Sequence, residues 1–231
     1  MSTEFQTIED QNSTLQLITI KAPRSALAES YRTLRANLGF VGLERPFRTI
    51  MVTSSSAKDG KSTVVSNLAV VTAQAGHKVL LVDCDLRKPV QHKLFQLPNH
   101  SGFTTCILTQ GEPEQATQAT IVDNLKVLTS GPIPPNPAEI LDGERTRLMW
   151  TRLLSYHDYV FIDSPPVLEV ADASIIASQL DAVLLVLRYG VTRMEIARQV
   201  QDQLARANAR VIGAVINQVK TGADQYYEYG Y

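Results

Sequence analysis

The chain has 231 residues, 44% hydrophobic and 19% charged, which suffices for one well-filled α/β core. A formal net charge of −1 gives no footprint for nucleic acid, and no apolar run approaches the roughly 20 residues of a membrane-spanning helix. Cys84 and Cys106 make no disulfide framework and point to a reducing cytoplasm, and the polar, acidic opening MSTEFQTIEDQNST does not read as a signal peptide.

In chain order, residues 1–24 lack a steady period and read as a mobile N-terminal segment, although LQLITI could pair as an edge strand. SALAESYRTLRANLGF then opens a helix, taken as 25–42. Its Leu27, Tyr31, Leu34 and Leu38 share one face at about 100° per residue. Glu29, Arg32 and Arg35 form a charged stripe beside that face. After Pro46, apolar strands alternate with helices. Strands are expected at 48–54, 78–83, 125–130, 159–163, 182–188 and 210–217, and a helix at 61–74 that stops near Gly76. PAEIL starts a further helix, with Asn136 as cap and Pro137 at the first helical position. In 192–207, Thr192 and Glu195 have the spacing of a capping box. The alternation predicts a mostly parallel sheet with helices on both faces over 25–220. GADQYYEYGY has no place in it, so 221–231 reads as a flexible tail. Four of the eight tyrosines, Tyr226, Tyr227, Tyr229 and Tyr231, lie in the last six residues.

The first strand runs into SSSAKDGKST and then a helix. This is the phosphate-loop pattern G-x-x-x-x-G-K-[ST] with Ser55 in place of the first glycine, and it makes the fold class a P-loop NTPase type. The candidate phosphate-binding residues are Ser56, Ala57, Lys58, Asp59, Gly60, Lys61, Ser62 and Thr63. Backbone N–H groups of such a loop surround phosphate oxygens, and the helix N-terminus adds a favourable field. Lys61 can reach the β- and γ-phosphates of ATP, and Ser62 can ligate Mg²⁺.

VDCDLRKP ends the second strand with Asp83 and Asp85, and FIDSPP ends another with Asp163. Parallel strands share one C-terminal rim, so these carboxylates are expected to meet the phosphate loop there. Hard oxygen ligands suit Mg²⁺, which is held by one or two carboxylates together with phosphates and water. Cys84 is expected to face the core. His77, His92, His100 and His157 have no metal-ligand spacing, and Arg87 is as well placed for phosphates or a neighbouring subunit as for neither.

Together and in this order, the Glu29-x-x-Arg32-x-x-Arg35 stripe, the phosphate loop, LLVDCDLRKP, GPIPPNPAEIL, FIDSPP and the tyrosine cluster resemble the bacterial tyrosine kinases (BY-kinases) of capsule and exopolysaccharide synthesis. The resemblance covers the chain from about residue 25 to its end. It implies an ATP- and Mg²⁺-dependent autokinase whose tail tyrosines are phosphorylated in a neighbour's active site, within a ring-like homo-oligomer assembled through Glu29, Arg32 and Arg35. By position it makes Lys61 a phosphate contact and Asp83 the base for the incoming phenol. Ser62, Asp85 and Asp163 become Mg²⁺ ligands, directly or through water. Asn217 resembles the asparagine that reads adenine in the wider class; its other reading is a strand-ending turn residue. Ala57-Lys58-Asp59 departs from the Pro-Gly common in the family's loop. With no membrane span, the chain resembles the split form: cytoplasmic, held at the inner face of the plasma membrane by a separate adaptor, and served by a tyrosine phosphatase. Full phosphorylation would add roughly −6 to −8 charges to the tail, which a cleft of three aspartates is expected to repel.

Two other readings compete. A partitioning or division-site ATPase would carry a signature lysine five residues before Lys61, where this chain has Ser56. A nucleotide-bound scaffold with little catalysis would share every motif except a used tail.

Overall fold

The computed structural model describes residues 17–219; residues 1–16 and 220–231, and with them the tail tyrosines, lie outside the described residues. The six expected strands and a further two-residue strand that the sequence did not signal form a seven-stranded sheet of order β3-β4-β2-β5-β1-β6-β7. Its strands are β1 (Thr49–Ser54), β2 (Val79–Asp83), β3 (Gln118–Ala119), β4 (Leu125–Leu128), β5 (Tyr159–Asp163), β6 (Ala182–Arg188) and β7 (Val211–Asn217). All neighbours pair in parallel except the two-residue β3, which lies antiparallel on β4.

Alternate strand residues feed two cores. Ile50, Val52, Leu81 and Phe161 face one layer, formed by α2 (Ala26–Glu44) and α3 (Lys61–Gln74). Met51, Leu80, Val82, Val160 and Ile162 face the other. That layer holds α5 (Phe103–Thr109), α6 (Pro137–Asp142), α7 (Glu144–Leu153), α8 (Asp172–Ala177) and α9 (Met194–Arg206). Val64 to Ala73 of α3 are buried without a break, because α2 covers the side that the sheet does not. A helix buried all round needs such a position.

Three local expectations change. The described part of LQLITI forms one helical turn, α1 (Ile18–Lys21), rather than an edge strand. Thr19 is fully buried there, and its N–H and hydroxyl both donate to Asn67 Oδ1, so the turn is fastened to α3. On α2, Tyr31, Leu34 and Leu38 pack as expected, but Leu27 is 51% exposed and the buried face passes through Ala28. Ser25 caps this helix by accepting from the Ala28 N–H. On α9, Arg193 takes the cap position without a side-chain bond. Thr192 Oγ1 instead accepts from the Arg188 N–H, which closes the turn after β6. Asn136 and Pro137 start α6 as expected, although the Asn136 side chain reaches Glu139 and caps no backbone group. No helix among the described residues is long and apolar enough to cross a membrane.

The sheet order places the chemistry. β5 lies between β2 and β1, so Asp83 stands level with Asp163, and Asp163 level with Val52, two residues before β1 ends at Ser54.

Candidate active site

The phosphate loop leaves β1 at Ser54 and enters α3 at Lys61. Two residues take left-handed backbone, Lys58 (φ +68°) and Gly60 (φ +94°). Asp59 is buried and folds back, accepting from Ser55 Oγ at 2.8 Å and from the Ser56 N–H at 2.9 Å. The Ala57 N–H donates to Glu169 Oε1 at 2.7 Å. Three loop donors, two of them backbone N–H groups, are thus held by carboxylates.

Lys61 Nζ lies 2.9 Å from Asp85 Oδ2, 3.6 Å from Asp163 Oδ1 and 3.1 Å from Ser62 Oγ. The loop lysine, the Ser62 hydroxyl and two of the three rim aspartates therefore converge. Burial alone would lower the Lys61 pKa, but the charges of Asp163 and Asp85 outweigh it and hold the ammonium above its ordinary range. Asp85 and Lys61 open into a cavity of about 1290 Å³, bounded by the phosphate loop, the 85–97 segment and Pro165 to Val170.

Asp83 stands differently. It is fully buried and does not line the cavity. Its Oδ1 accepts from the Asp85 N–H, and its Oδ2 accepts from the N–H groups of Val90 and Gln91 at the start of α4 (Gln91–Leu94). Burial, then the charge of Asp163, lifts its pKa well above the ordinary carboxylate range. Burial also lifts Asp163, against the pull of Lys61, Gln91 and Ser62. Asp163 Oδ1 is buried and accepts no hydrogen bond. That oxygen, whose nearest cation is Lys61 Nζ at 3.6 Å, and the Ser62 and Asp85 oxygens that also meet Lys61 Nζ, fit Mg²⁺. Among the described residues no three His, Cys, Asp or Glu side chains form a metal cage, so phosphate and water oxygens would complete the ion's shell.

The sequence did not reveal Gln91. Fully buried, it donates through Nε2 to Asp163 Oδ2 at 2.8 Å, accepts from Ser66 Oγ, and gives its backbone N–H to Asp83, so it joins both carboxylates to α3. Nothing in VQHKL signals this. Asp172 was also missed. It is buried and takes a two-point contact from Arg87, 2.8 Å to Nε and 3.0 Å to Nη2, which fixes the guanidinium at the cavity edge. Cys84 is fully buried as expected; burial, then the charges of Asp83 and Asp163, pushes its thiol well up and keeps it protonated. The cleft is not the acidic funnel that three aspartates suggested. Its lining carries Lys58, Lys61, Arg87, Lys88 and Lys93 against Asp85 and Glu169, because Asp83 and Asp163 are enclosed.

The charged stripe of α2 also divides. Glu29 and Arg32 pair with each other at 2.8 Å on the exposed surface. Arg35 turns inward, its Nε buried without a hydrogen bond, and lines a separate cavity of about 560 Å³ at the N-terminal ends of β1 and β5.

Residues 50–229 match the family model described as the CobQ/CobB/MinD/ParA nucleotide binding domain. The tyrosine-protein kinase YwqD of Bacillus subtilis (strain 168) is 43% identical over 220 residues, covering 93% of this chain and 90% of that protein. The putative tyrosine-protein kinase CapB of Staphylococcus aureus is 35% identical, covering 90% of this chain and 92% of that protein. The kinase domain of the Escherichia coli tyrosine kinase ETK matches with a TM-score of 0.83 at 32% identity, covering 93% of this chain and 84% of that one. With a phosphate-loop sequence beside rim aspartates, and relatives of this kind along nearly its whole length, the chain belongs to the bacterial tyrosine-protein kinases.

Proposed function

We propose that this kinase uses Mg·ATP to phosphorylate Tyr226, Tyr227, Tyr229 and Tyr231 of a neighbouring copy in a ring-like homo-oligomer, and thereby regulates capsular or exopolysaccharide synthesis. The observation that carries the reading is the convergence of Asp85 and the enclosed Asp163 on Lys61, which opens with Asp85 into one cavity, in a chain whose last six residues hold four phenols. A tail tyrosine oxygen attacks the γ-phosphorus of ATP, the bond to the bridging oxygen breaks, and ADP leaves. Such a transfer needs little covalent help from protein; positioning and charge do most of it. Lys61 would leave Asp85 for the phosphates. Ser62, Asp85 and Asp163 would hold Mg²⁺, which when bound neutralises charge on the transferred group.

Asp83 is proposed to take the phenol proton. Burial and the charge of Asp163 raise its proton affinity, the direction that favours accepting a proton. In this geometry the Val90–Gln91 turn encloses it, so the role requires that turn to release Asp83 Oδ2. Glu169 would likewise yield the Ala57 N–H to phosphate. The proposal extends to a membrane adaptor that holds the kinase at the inner face of the plasma membrane, and to a cognate tyrosine phosphatase. Its support is the resemblance of the motifs to the split form of the family.

The test is incubation of purified protein with Mg·ATP, followed by mass spectrometry of the tail. Phosphate on the four tyrosines is expected, and Lys61→Met abolishes it. For transfer between copies, the Lys61→Met chain is mixed with an active chain whose four tail tyrosines are replaced by Phe. Phosphate on the Lys61→Met tail is expected. A wild-type tail that stays unmodified while ATP is hydrolysed would favour the partitioning-type switch.

A further inference from the structure

The cavity joins two kinds of surface. Under the phosphate loop, Lys61, Ser62 and Asp85 account for the nucleotide. The opposite wall, from Lys88 to Leu97, is not needed for that task. It combines exposed Lys88 and Lys93 with half-buried Val90 and Leu97, while Leu94 is buried. Lys61 and Arg87 each have a carboxylate partner, but among the described residues Lys88 and Lys93 have none within ion-pair distance. His92 also lines this wall, and its Nδ1 is buried without a hydrogen bond. Burial, helped by the Lys93 charge, lowers the His92 pKa, so the wall's positive charge near neutral pH comes from the lysines.

We infer that the Lys88–Leu97 wall is an acceptor-peptide subsite, which selects an acidic, tyrosine-rich segment by charge on the two lysines and by apolar contact with phenol rings. This deepens the kinase reading and rests on it. The chain's own terminus has the matching chemistry: Asp224 and Glu228 bracket Tyr226 and Tyr227. An ordinary polar tail would find two unpaired ammonium groups and an apolar strip, and gain little from either. Opposite charges across such a surface serve selection more than raw affinity. The same lysines retain a phosphorylated tail rather than expel it, since each phosphotyrosine adds about −1.5 to −2 charge at neutral pH. Product release is then slow at low ionic strength and faster with added salt.

The acceptor for the test is a synthetic peptide of residues 221–231. The enzyme is the full chain with its four tail tyrosines changed to Phe and with Asp224→Asn and Glu228→Gln, so that its own tail does not compete. Lys88→Gln with Lys93→Gln is expected to raise the peptide KM by about fivefold to tenfold, the scale of two partly screened charge pairs, with the KM for ATP unmoved. A peptide carrying Asp224→Asn and Glu228→Gln should have a high KM with either enzyme. Fluorescence anisotropy of a labelled all-Phe peptide, in a non-hydrolysable ATP analogue, reads binding without catalysis and should show the same lysine dependence. Peptide KM and anisotropy that ignore the lysines overturn the subsite, as does a rise in ATP KM in step with peptide KM. Lysine-dependent binding without phosphorylation keeps the subsite and overturns the kinase reading. No measurable binding to the parent enzyme overturns the subsite, whatever the kinase assay shows.

Discussion

Asn217 Nδ2 donates to the backbone carbonyl of Asp59 at 2.9 Å, across 158 residues of chain. The next residue repeats the device: Gln218 Nε2 donates to the Lys58 carbonyl at 3.0 Å. The end of β7 thus fastens the two carbonyls that precede Gly60. Asn217 was read as an adenine contact or as a strand-ending residue, and in this structure its amide nitrogen serves the loop. The two roles give different kinetics. A loop-holding Asn217 predicts that Asn217→Ala raises the KM for ATP and for GTP by the same factor, about twofold to tenfold for one hydrogen bond. A collapse of discrimination between ATP and GTP would return the residue to adenine.

Gly60 depends on the same contact. A Cβ there would stand 2.1 Å from Asn217 Nδ2, on a backbone with φ +94°. Left-handed backbone costs an L-residue roughly 1–2 kcal/mol before any clash. Gly60→Ala is expected to lower the melting temperature by several degrees and to abolish nucleotide binding in calorimetry. Wild-type affinity in a folded variant would show that the loop adapts.

The aspartates should separate kinetically. Removing a general base lowers turnover by about 10²- to 10⁴-fold. Asp83→Asn is expected to fall in that range with Mg·ATP binding largely kept. Asp85→Asn should instead raise the Mg²⁺ concentration needed for half-maximal rate. The reverse pattern in steady-state assays would make Asp85, the carboxylate that faces the cavity, the proton acceptor.

Stability carries a matching signature in pH. Asp83 and Asp163 both have folded-state pKa values raised, chiefly by burial. The folded state therefore binds their protons more tightly than the unfolded chain does. Their contribution to stability is fully present below about pH 4, the unfolded value, and is lost as pH rises through the raised folded values. Asp83→Asn removes one of these titrations and relieves Asp163. The melting temperature of the variant minus that of wild type should grow steadily from pH 4.5 to pH 8. A difference that stays flat across that window would mean that the pair is not strained by charge.

Assembly should depend on Arg35 more than on its neighbours. Glu29 and Arg32 satisfy each other within one helix, a pair worth about 0.2–0.5 kcal/mol. Arg35 brings an unbonded buried Nε to a cavity between α2 and the sheet. In light scattering, Arg35→Ala is expected to shift a wild-type oligomer to monomers, while Glu29→Gln leaves it largely intact. Equal effects of both would restore a role for the whole stripe.

Much of this molecule is legible along the chain. Helix 61–74 and strands 159–163 and 182–188 fall where periodicity and loop chemistry put them, because those signals are complete within a dozen residues. The rim of aspartates was legible too, since parallel strands share one C-terminal edge. The short α1 was not, because its turn is stabilised by Asn67, 48 residues away.

The sequence by itself determined the alternation of strands and helices, the phosphate loop, and which strands end in carboxylates, since each is a property of consecutive residues. Only the tertiary structure decided that Asp83 is enclosed while Asp85 faces the cavity, that Gln91 reaches Asp163 across 72 residues, and that Arg87 is pinned by Asp172 across 85. These contacts exist only once β5 has been laid between β2 and β1. A side chain's partners, burial and proton affinity depend on what the fold brings beside it, and no local pattern contains that information.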